Sequence, residues 1–348
     1  MIPLRPLRVS IGILATSILL AVAICWLPQD NYQRWKLLDG GLYYWTRWIY
    51  ERCHFDPTPI DVAIIGPSRT LRGIDAPRLS RALAARGLPS NVVNFSIPKT
   101  GRNANYVIVQ ELLSEKHPKV MIVGIMDRPY DYGHEAFKYI APTVMLLNPA
   151  YPTNLNYPND VLYLPFRQTK LFTEDLLPHY TGVSKTFDPA HYLGSSPDTT
   201  ANFVRPDGTV VEGIPPPTVR DLTLGERNWE VTVPKPLLGV ATAPLQFGDE
   251  HHFIRLIAEA AEARGVRVEF LFIPGYSGPS QVLDQPFYER FGPVLKANFV
   301  RTRPEWYSMF SHLNREGAQQ LTDWLVAPVA AALTAPASQA PAAERHSN

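Results

Sequence analysis

The sequence predicts an α/β protein: a parallel sheet with helices on both faces, an N-terminal transmembrane helix and a Pro-rich insertion. Short apolar runs rich in β-branched residues recur along the chain, as strands buried on both faces require. Amphipathic stretches of helical length alternate with them across short loops. Hydrophobic residues make up 45% of the 348 positions, enough apolar surface for a full core.

The elements follow in order. Val9 to Gln29 is uncharged, and most of it is Ile, Leu, Ala and Val. Such a stretch has the length of a helix crossing the hydrocarbon core. Arg5 and Arg8 precede it and favour a cytoplasmic 1–8 tail. Residues 9–28 are therefore read as an uncleaved single-pass anchor, with the main domain extracytoplasmic (periplasmic). A cleavable signal peptide ending at Ala21-Val22-Ala23 is the competing reading, but apolar Ile24 to Leu27 continue past that cut. An aromatic juxtamembrane segment occupies 29–56. Positions 26, 35, 45 and 48 hold four of the seven tryptophans, and Leu42, Trp45 and Ile49 share a helical face. That face suits either the lipid–water interface or packing onto the folded domain.

The first part of the core covers 57–132. Asp61 to Gly66 reads as a buried strand, and Asp75-Ala76-Pro77 opens a helix with Leu79 and Leu83 that Gly87 closes. A strand at 91–95, a helix near 103–114 and a strand at 119–125 follow. The rhythm stops over 133–249, where 15 of the 34 prolines fall between Pro142 and Asp249. This insertion, with no long periodic segment, is expected to be irregular, with small strands of its own or as a β-rich subdomain. The second part of the core spans 250–334. Phe253, Ile257 and Ala261 line a helix, 266–273 is a strand, and helices are expected at 287–297 and 316–326. The 335–348 tail is Ala/Pro/Ser-rich and expected to be disordered.

Composition narrows the function. Lys+Arg 33 against Asp+Glu 32 leaves a net charge of +1, with no cation excess for a nucleic-acid partner. Two cysteines, Cys25 and Cys53, exclude a disulfide framework and a Cys-rich zinc site. His251-His252 lacks metal-ligand spacing, and no Gly-rich nucleotide loop occurs, so neither a metal nor a cofactor is expected.

Two segments carry candidate chemistry. Gly66-Pro67-Ser68-Arg69-Thr70-Leu71-Arg72-Gly73 follows the first strand at the sheet edge where ligands gather. Ser68 there either caps the next turn or exposes a nucleophilic hydroxyl. Ser311-His312-Leu313-Asn314-Arg315-Glu316-Gly317 opens the last helix, and His312 could take the Ser68 proton and return it to a leaving group. Arg69, Arg72 and Arg78 either meet an anionic glycan or form a solvated face. The 127–132 stretch could line a sugar site through aromatic stacking.

The phrase His312-Leu313-Asn314-x-x-Gly317 resembles the last block of the SGNH (GDSL-type) hydrolase superfamily. Gly66-Pro67-Ser68 resembles its opening block, Asn94-Phe95-Ser96 leading to Gly101 its second, and Gly124-Ile125-Met126-Asp127 its third. The resemblance covers about 56–130 and 250–330 and implies a flavodoxin-like sheet. With the anchor, the chain is similar to membrane-attached members that serve polysaccharide or cell-wall O-acylation, as in alginate acetylation and teichoic-acid alanylation. The resemblance implies Ser68 as nucleophile, His312 as general base, and an oxyanion hole from the Ser68 and Gly101 N–H groups, with the Asn103 amide as substitute donor. Pro67 replaces the family's opening aspartate, Met126 its oxyanion-hole asparagine, and Met309 the aspartate three residues before the histidine. Glu305 and Asp127 are then the candidates to orient the imidazole, unless a backbone carbonyl does so.

The implied function is an O-acetyltransferase or esterase acting on a surface or cell-wall polysaccharide, with a membrane-bound O-acyltransferase as a candidate partner. The alternative is a catalytically degenerate glycan-binding or acyltransferase-partner protein.

Overall fold

The structure, a computed structural model, describes residues 4–39, 43, 45–129, 132–147, 154–200, 203–204, 210–211, 217–232 and 243–335. Nine strands occur among them: β1 (Val62–Ile65), β2 (Val92–Asn94), β3 (Val120–Ile125), β4 (Phe203–Val204), β5 (Val210–Val211), β6 (Arg267–Phe272), β7 (Val294–Lys296), β8 (Tyr307–Met309) and β9 (His312–Leu313). Five form one parallel sheet in the order β2-β1-β3-β6-β7. Val62 pairs with Val92 on one side and Val120 on the other. The winding reverses at β1, so a topological switch point lies between the carboxyl ends of β1 and β3. Ligands of doubly wound sheets bind at such a point.

Alternation within the strands builds two cores. Ala63, Ile65, Met121 and Val123 pack with helices Trp45–His54, Arg102–Glu115 and Gly248–Glu262. Val62, Ile64, Val120 and Ile122 face the other way, against Ala76–Ala84 and Arg315–Thr334. All eight strand side chains are fully buried, which is why these strands read as continuous apolar runs. Asp75 and Asn314 cap their helices, accepting from Arg78 N at 2.8 Å and Gly317 N at 2.9 Å.

Several expectations are corrected. The 287–297 helix is a short helix, Gln285–Glu289, followed by strand β7. At Gly292 the chain passes so close to β6 that a Cβ would sit 2.1 Å from the Val268 carbonyl oxygen, and Pro293 then lacks the N–H a helix needs. The last helix runs on to Thr334 rather than ending near 326.

The insertion does contain long helices, Tyr157–Leu176 and Val219–Thr232, beside the small antiparallel pair β4–β5. The buried face of the first is Asp160, Leu164, Arg167, Gln168 and Leu171, a helical spacing filled mostly by polar residues and invisible to an apolar count. Arg167 holds this face by donating to the Ala141 carbonyl at 2.7 Å and the Lys138 carbonyl at 2.9 Å.

The N-terminal helix spans Leu4–Cys25, so it stops short of the expected limit at 28. Its uncharged part, Val9 to Cys25, measures ~26 Å, a little less than a hydrocarbon core of roughly 30 Å. Among the described residues, no helix is long and apolar enough to cross a membrane. Ile13, Leu14 and Leu19 on it are more than half exposed, and it packs against Tyr157–Leu176. Trp35, Trp45, Trp48 and Ile49 are buried in the first core, which favours packing over an interfacial belt for this aromatic segment. Trp26 alone of the four early tryptophans is exposed. Leu42 and positions 336–348 lie outside the described residues.

Candidate active site

β1 delivers the chain through Gly66 and Pro67 into the short helix Ser68–Gly73. Under this turn the Thr70 side chain sits against both strands. A Cβ on Gly66 would lie 2.6 Å from Thr70 Oγ1, and one on Gly124 only 1.8 Å away. Both glycines thus make room for the turn to seat on β1 and β3, which places Ser68 beside the switch point.

The β8–β9 hairpin carries the histidine. An irregular register between Tyr307 and Met309 accompanies its closure. His312 Nε2 lies 2.8 Å from Ser68 Oγ, across 244 positions of sequence. With Nε2 accepting from Ser68, Nδ1 carries the proton and donates to Ser311 Oγ at 2.9 Å. Burial first, then the Arg69 and Arg72 guanidinium groups, push the imidazole down to about 3, so it is neutral across the physiological range.

The two candidate orienting acids are elsewhere. Asp127 accepts from Arg69 Nη1 at 3.1 Å and from Trp229 Nε1 at 3.4 Å. Glu305 is exposed beside Arg303, at 3.8 Å. Among the described residues, a hydroxyl, Ser311, and not a carboxylate stands on the Nδ1 side of the imidazole.

The oxyanion candidates divide. Gly101 borders the same recess as Pro67, in the left-handed region at φ 131°. A Cβ there would meet His134 N at 2.2 Å, so only glycine fits. Asn103 accepts through Oδ1 from His134 N at 2.7 Å and Ala104 N at 2.9 Å, while its buried Nδ2 has no hydrogen-bond partner among the described residues.

His134 anchors the opposite side of this loop. Its Nε2 donates to the Pro98 carbonyl at 2.7 Å while Nδ1 accepts from Ala136 N at 3.0 Å, and burial pushes it down to about 4.

The three arginines do not form an open cationic face. Arg69 is buried against Asp127 and the Ile273 carbonyl, Arg72 donates to the Thr199 carbonyl at 3.1 Å, and Arg78 grips Asp323 at 2.6 and 2.7 Å. Among the described residues, no group of three His, Cys, Asp or Glu could hold a metal ion.

Two functional candidates come from the insertion and escaped the sequence reading. Val219–Thr232 lays Glu226 and Trp229 beside the hairpin. Trp229 stacks on Arg69, with the guanidinium carbon 5.4 Å from the ring centre. Glu226 is 7% exposed, and neither carboxyl oxygen has a hydrogen-bond partner among the described residues. Gly275 and Gly278 make space for it, since Cβ atoms there would stand 3.1 and 2.9 Å from its oxygens. Burial raises its carboxyl to about 7 against the pull of Arg69. Only the i, i+4, i+7 spacing of Leu222, Glu226 and Trp229 hints at this face in the sequence.

Comparison with protein-family models and with curated proteins returns no match. The chemistry therefore rests on the geometry: a serine hydroxyl hydrogen-bonded to a neutral imidazole at a sheet edge, as nucleophilic acyl transfer requires. Two nearby cations and a hydroxyl partner give the imidazolium little support, so His312 is a weak base as it stands.

Proposed function

We propose that this chain is an SGNH-like acyl-ester enzyme, tethered outside the cytoplasm by its N-terminal helix and acting on a surface polysaccharide. The observation that carries the reading is the 2.8 Å contact between Ser68 Oγ and His312 Nε2. Ser68 Oγ attacks the acyl carbonyl as His312 Nε2 takes its proton. The ester bond to the leaving alcohol breaks, and that alcohol receives the proton. A sugar hydroxyl or water then attacks the acyl-serine, giving transfer or hydrolysis. The uncharged Val9–Cys25 part of the first helix, with Arg5 and Arg8 in its first turns, supports the tether, and a membrane-bound O-acyltransferase is the proposed acyl source.

A second reading, a catalytically silent glycan-binding partner, has its own support. Among the described residues no carboxylate meets His312 Nδ1, and Arg69 and Arg72 oppose its protonation. Incubating the full-length protein with p-nitrophenyl acetate separates the two. The enzyme reading expects an acetyl group on Ser68 by peptide mass spectrometry, absent in Ser68→Ala. Loss of that adduct alongside measurable glycan binding would select the silent partner.

A further inference from the structure

The helix Tyr157–Leu176 turns one face into the protein and the opposite face outward, and the outward face is apolar. Leu162 is 80% exposed and Phe166 62%, and exposed Leu155, Leu176, Leu177 and Tyr180 continue the surface at either end. Leu162, Phe166, Thr169 and Thr173 fall within a stripe of about 60°, opposite the buried Leu164, Arg167 and Leu171. A helix face that meets water ordinarily carries charge. Here Lys170 at the edge of the stripe is the only charged residue on the face, and its long stem lets the ammonium reach sideways to a polar layer. The Thr169 and Thr173 hydroxyls donate to the Pro165 and Thr169 carbonyls of the same helix at 2.9 and 2.8 Å, so neither needs water.

The first helix ends against this same element. Cys25 and Leu164 share the first core, and Gln168 Nε2 donates to the Leu27 carbonyl at 3.1 Å. Where the first helix leaves a bilayer, Tyr157–Leu176 is therefore beside its exit. Trp26, more than half exposed, stands at that exit, and Tyr180 is 89% exposed at the far end of the apolar face. Both side-chain types favour the headgroup level. Asp160, Arg167 and Gln168 on the protein side suit a helix that lies in the plane of the interface and not one that crosses it.

We propose that the outward face of Tyr157–Leu176, continued through Leu177 and Tyr180, lies in the lipid headgroup–acyl boundary as a second membrane contact beside the first helix. One tether leaves the attached body free to swivel. A second contact, locked to the body through the Arg167 bonds to the Ala141 and Lys138 carbonyls, holds one orientation and so sets the height of Ser68 above the lipid. The proposal extends the reading of the first helix as a tether, and the test separates the two.

The test is spin-label accessibility in the full-length protein, reconstituted into phosphatidylcholine–phosphatidylglycerol vesicles. Nitroxides are placed singly at Leu162→Cys, Phe166→Cys and Leu177→Cys. Leu14→Cys reports on the first helix, and Ala84→Cys on a helix at the other face of the sheet; all these positions are exposed. Cys25 and Cys53 are buried, and wild type treated identically supplies the background. Relaxation by oxygen, which concentrates in lipid, is compared with relaxation by a water-soluble nickel chelate. Labels at 162, 166 and 177 should favour oxygen, at a depth of about 5–10 Å into the boundary, while Ala84→Cys favours the chelate. Labels at 162 and 166 as open to the chelate as Ala84→Cys would overturn the proposal. So would labels shielded from both reagents, the pattern of a protein contact. Leu14→Cys in lipid with 162 and 166 in water would keep the tether and discard the docking face; the reverse pattern would discard the tether and keep the docking face.

Discussion

An imidazole set between two guanidinium groups and a hydroxyl is a poor place to hold a proton. His312 accepts from Ser68 but, among the described residues, has no carboxylate on Nδ1 to stabilise the cation that the proposed attack would form. In a serine-protease triad, weakening the equivalent carboxylate costs about 10⁴ in turnover, the known case of Asp→Asn. Ser311→Asp should therefore raise the His312 pKa and increase p-nitrophenyl acetate turnover by at least about tenfold, read as kcat/KM. A rate that falls, with the fold intact, would show that Ser311 is no substitute for the acid. The identities of Ser68 and His312 as reactive residue types were legible in the sequence, because serine and histidine carry their chemistry wherever they stand. The Nδ1 partner was not, because neither Glu305 nor Asp127 reveals its side-chain direction in a linear chain.

At the scale of elements, the site depends on close approach of backbones. Gly124→Ala would drive a Cβ into Thr70 and should destabilise the protein by about 1–3 kcal/mol, measured as a lower urea midpoint at unchanged slope. Gly101→Ala combines a crowded Cβ with a left-handed φ and should cost more. The parallel strands were legible because β1 and β3 are buried on both faces and read as uninterrupted apolar runs, and β6 is apolar apart from Arg267 and Glu269. β7 was not. Phe287, Phe291 and Val294 fall at helical intervals, yet Gly292 and Pro293 break the helix where the chain meets β6. The Val219–Thr232 helix was missed for the opposite reason: its buried residues are only Leu222 and Glu226, too few apolar positions for a period to show.

Taken as a whole, the molecule buries several carboxyl oxygens that have no hydrogen-bond partner among the described residues. Asp160, Glu226, Asp249 and Glu269 are each raised to about 7, with burial the leading cause. Their protonated forms contribute stability that is full below the unfolded carboxyl values near 4 and is lost as pH rises through about 7. His134 and His312, depressed to about 4 and 3, act oppositely: their contribution is full above about 6.5 and is lost as pH falls. His251 and His252 are also lowered and Asp39, Glu51 and Asp75 also raised, so seven carboxyls stand against four histidines and Tm should fall between about pH 5.5 and about pH 8. Glu226→Gln should flatten that fall in a thermal melt series. For the proposed tether, the full-length protein should remain with phospholipid vesicles through a high-salt wash; release by salt alone would argue against an apolar anchor.

Local chemistry by itself determined the strand runs, the capped helix starts and the two reactive residue types, since each depends on neighbours a few positions away. Tertiary structure alone decided that Ser68 and His312 meet, that Ser311 rather than a carboxylate faces the imidazole, and that Glu226 and Trp229 reach the site from the insertion. Except for Ser311, the chain neighbour of His312, those contacts join segments separated by tens to hundreds of residues. Their geometry is set by how helices seat on the two sheet faces, a property of the packed body and not of any single stretch of chain.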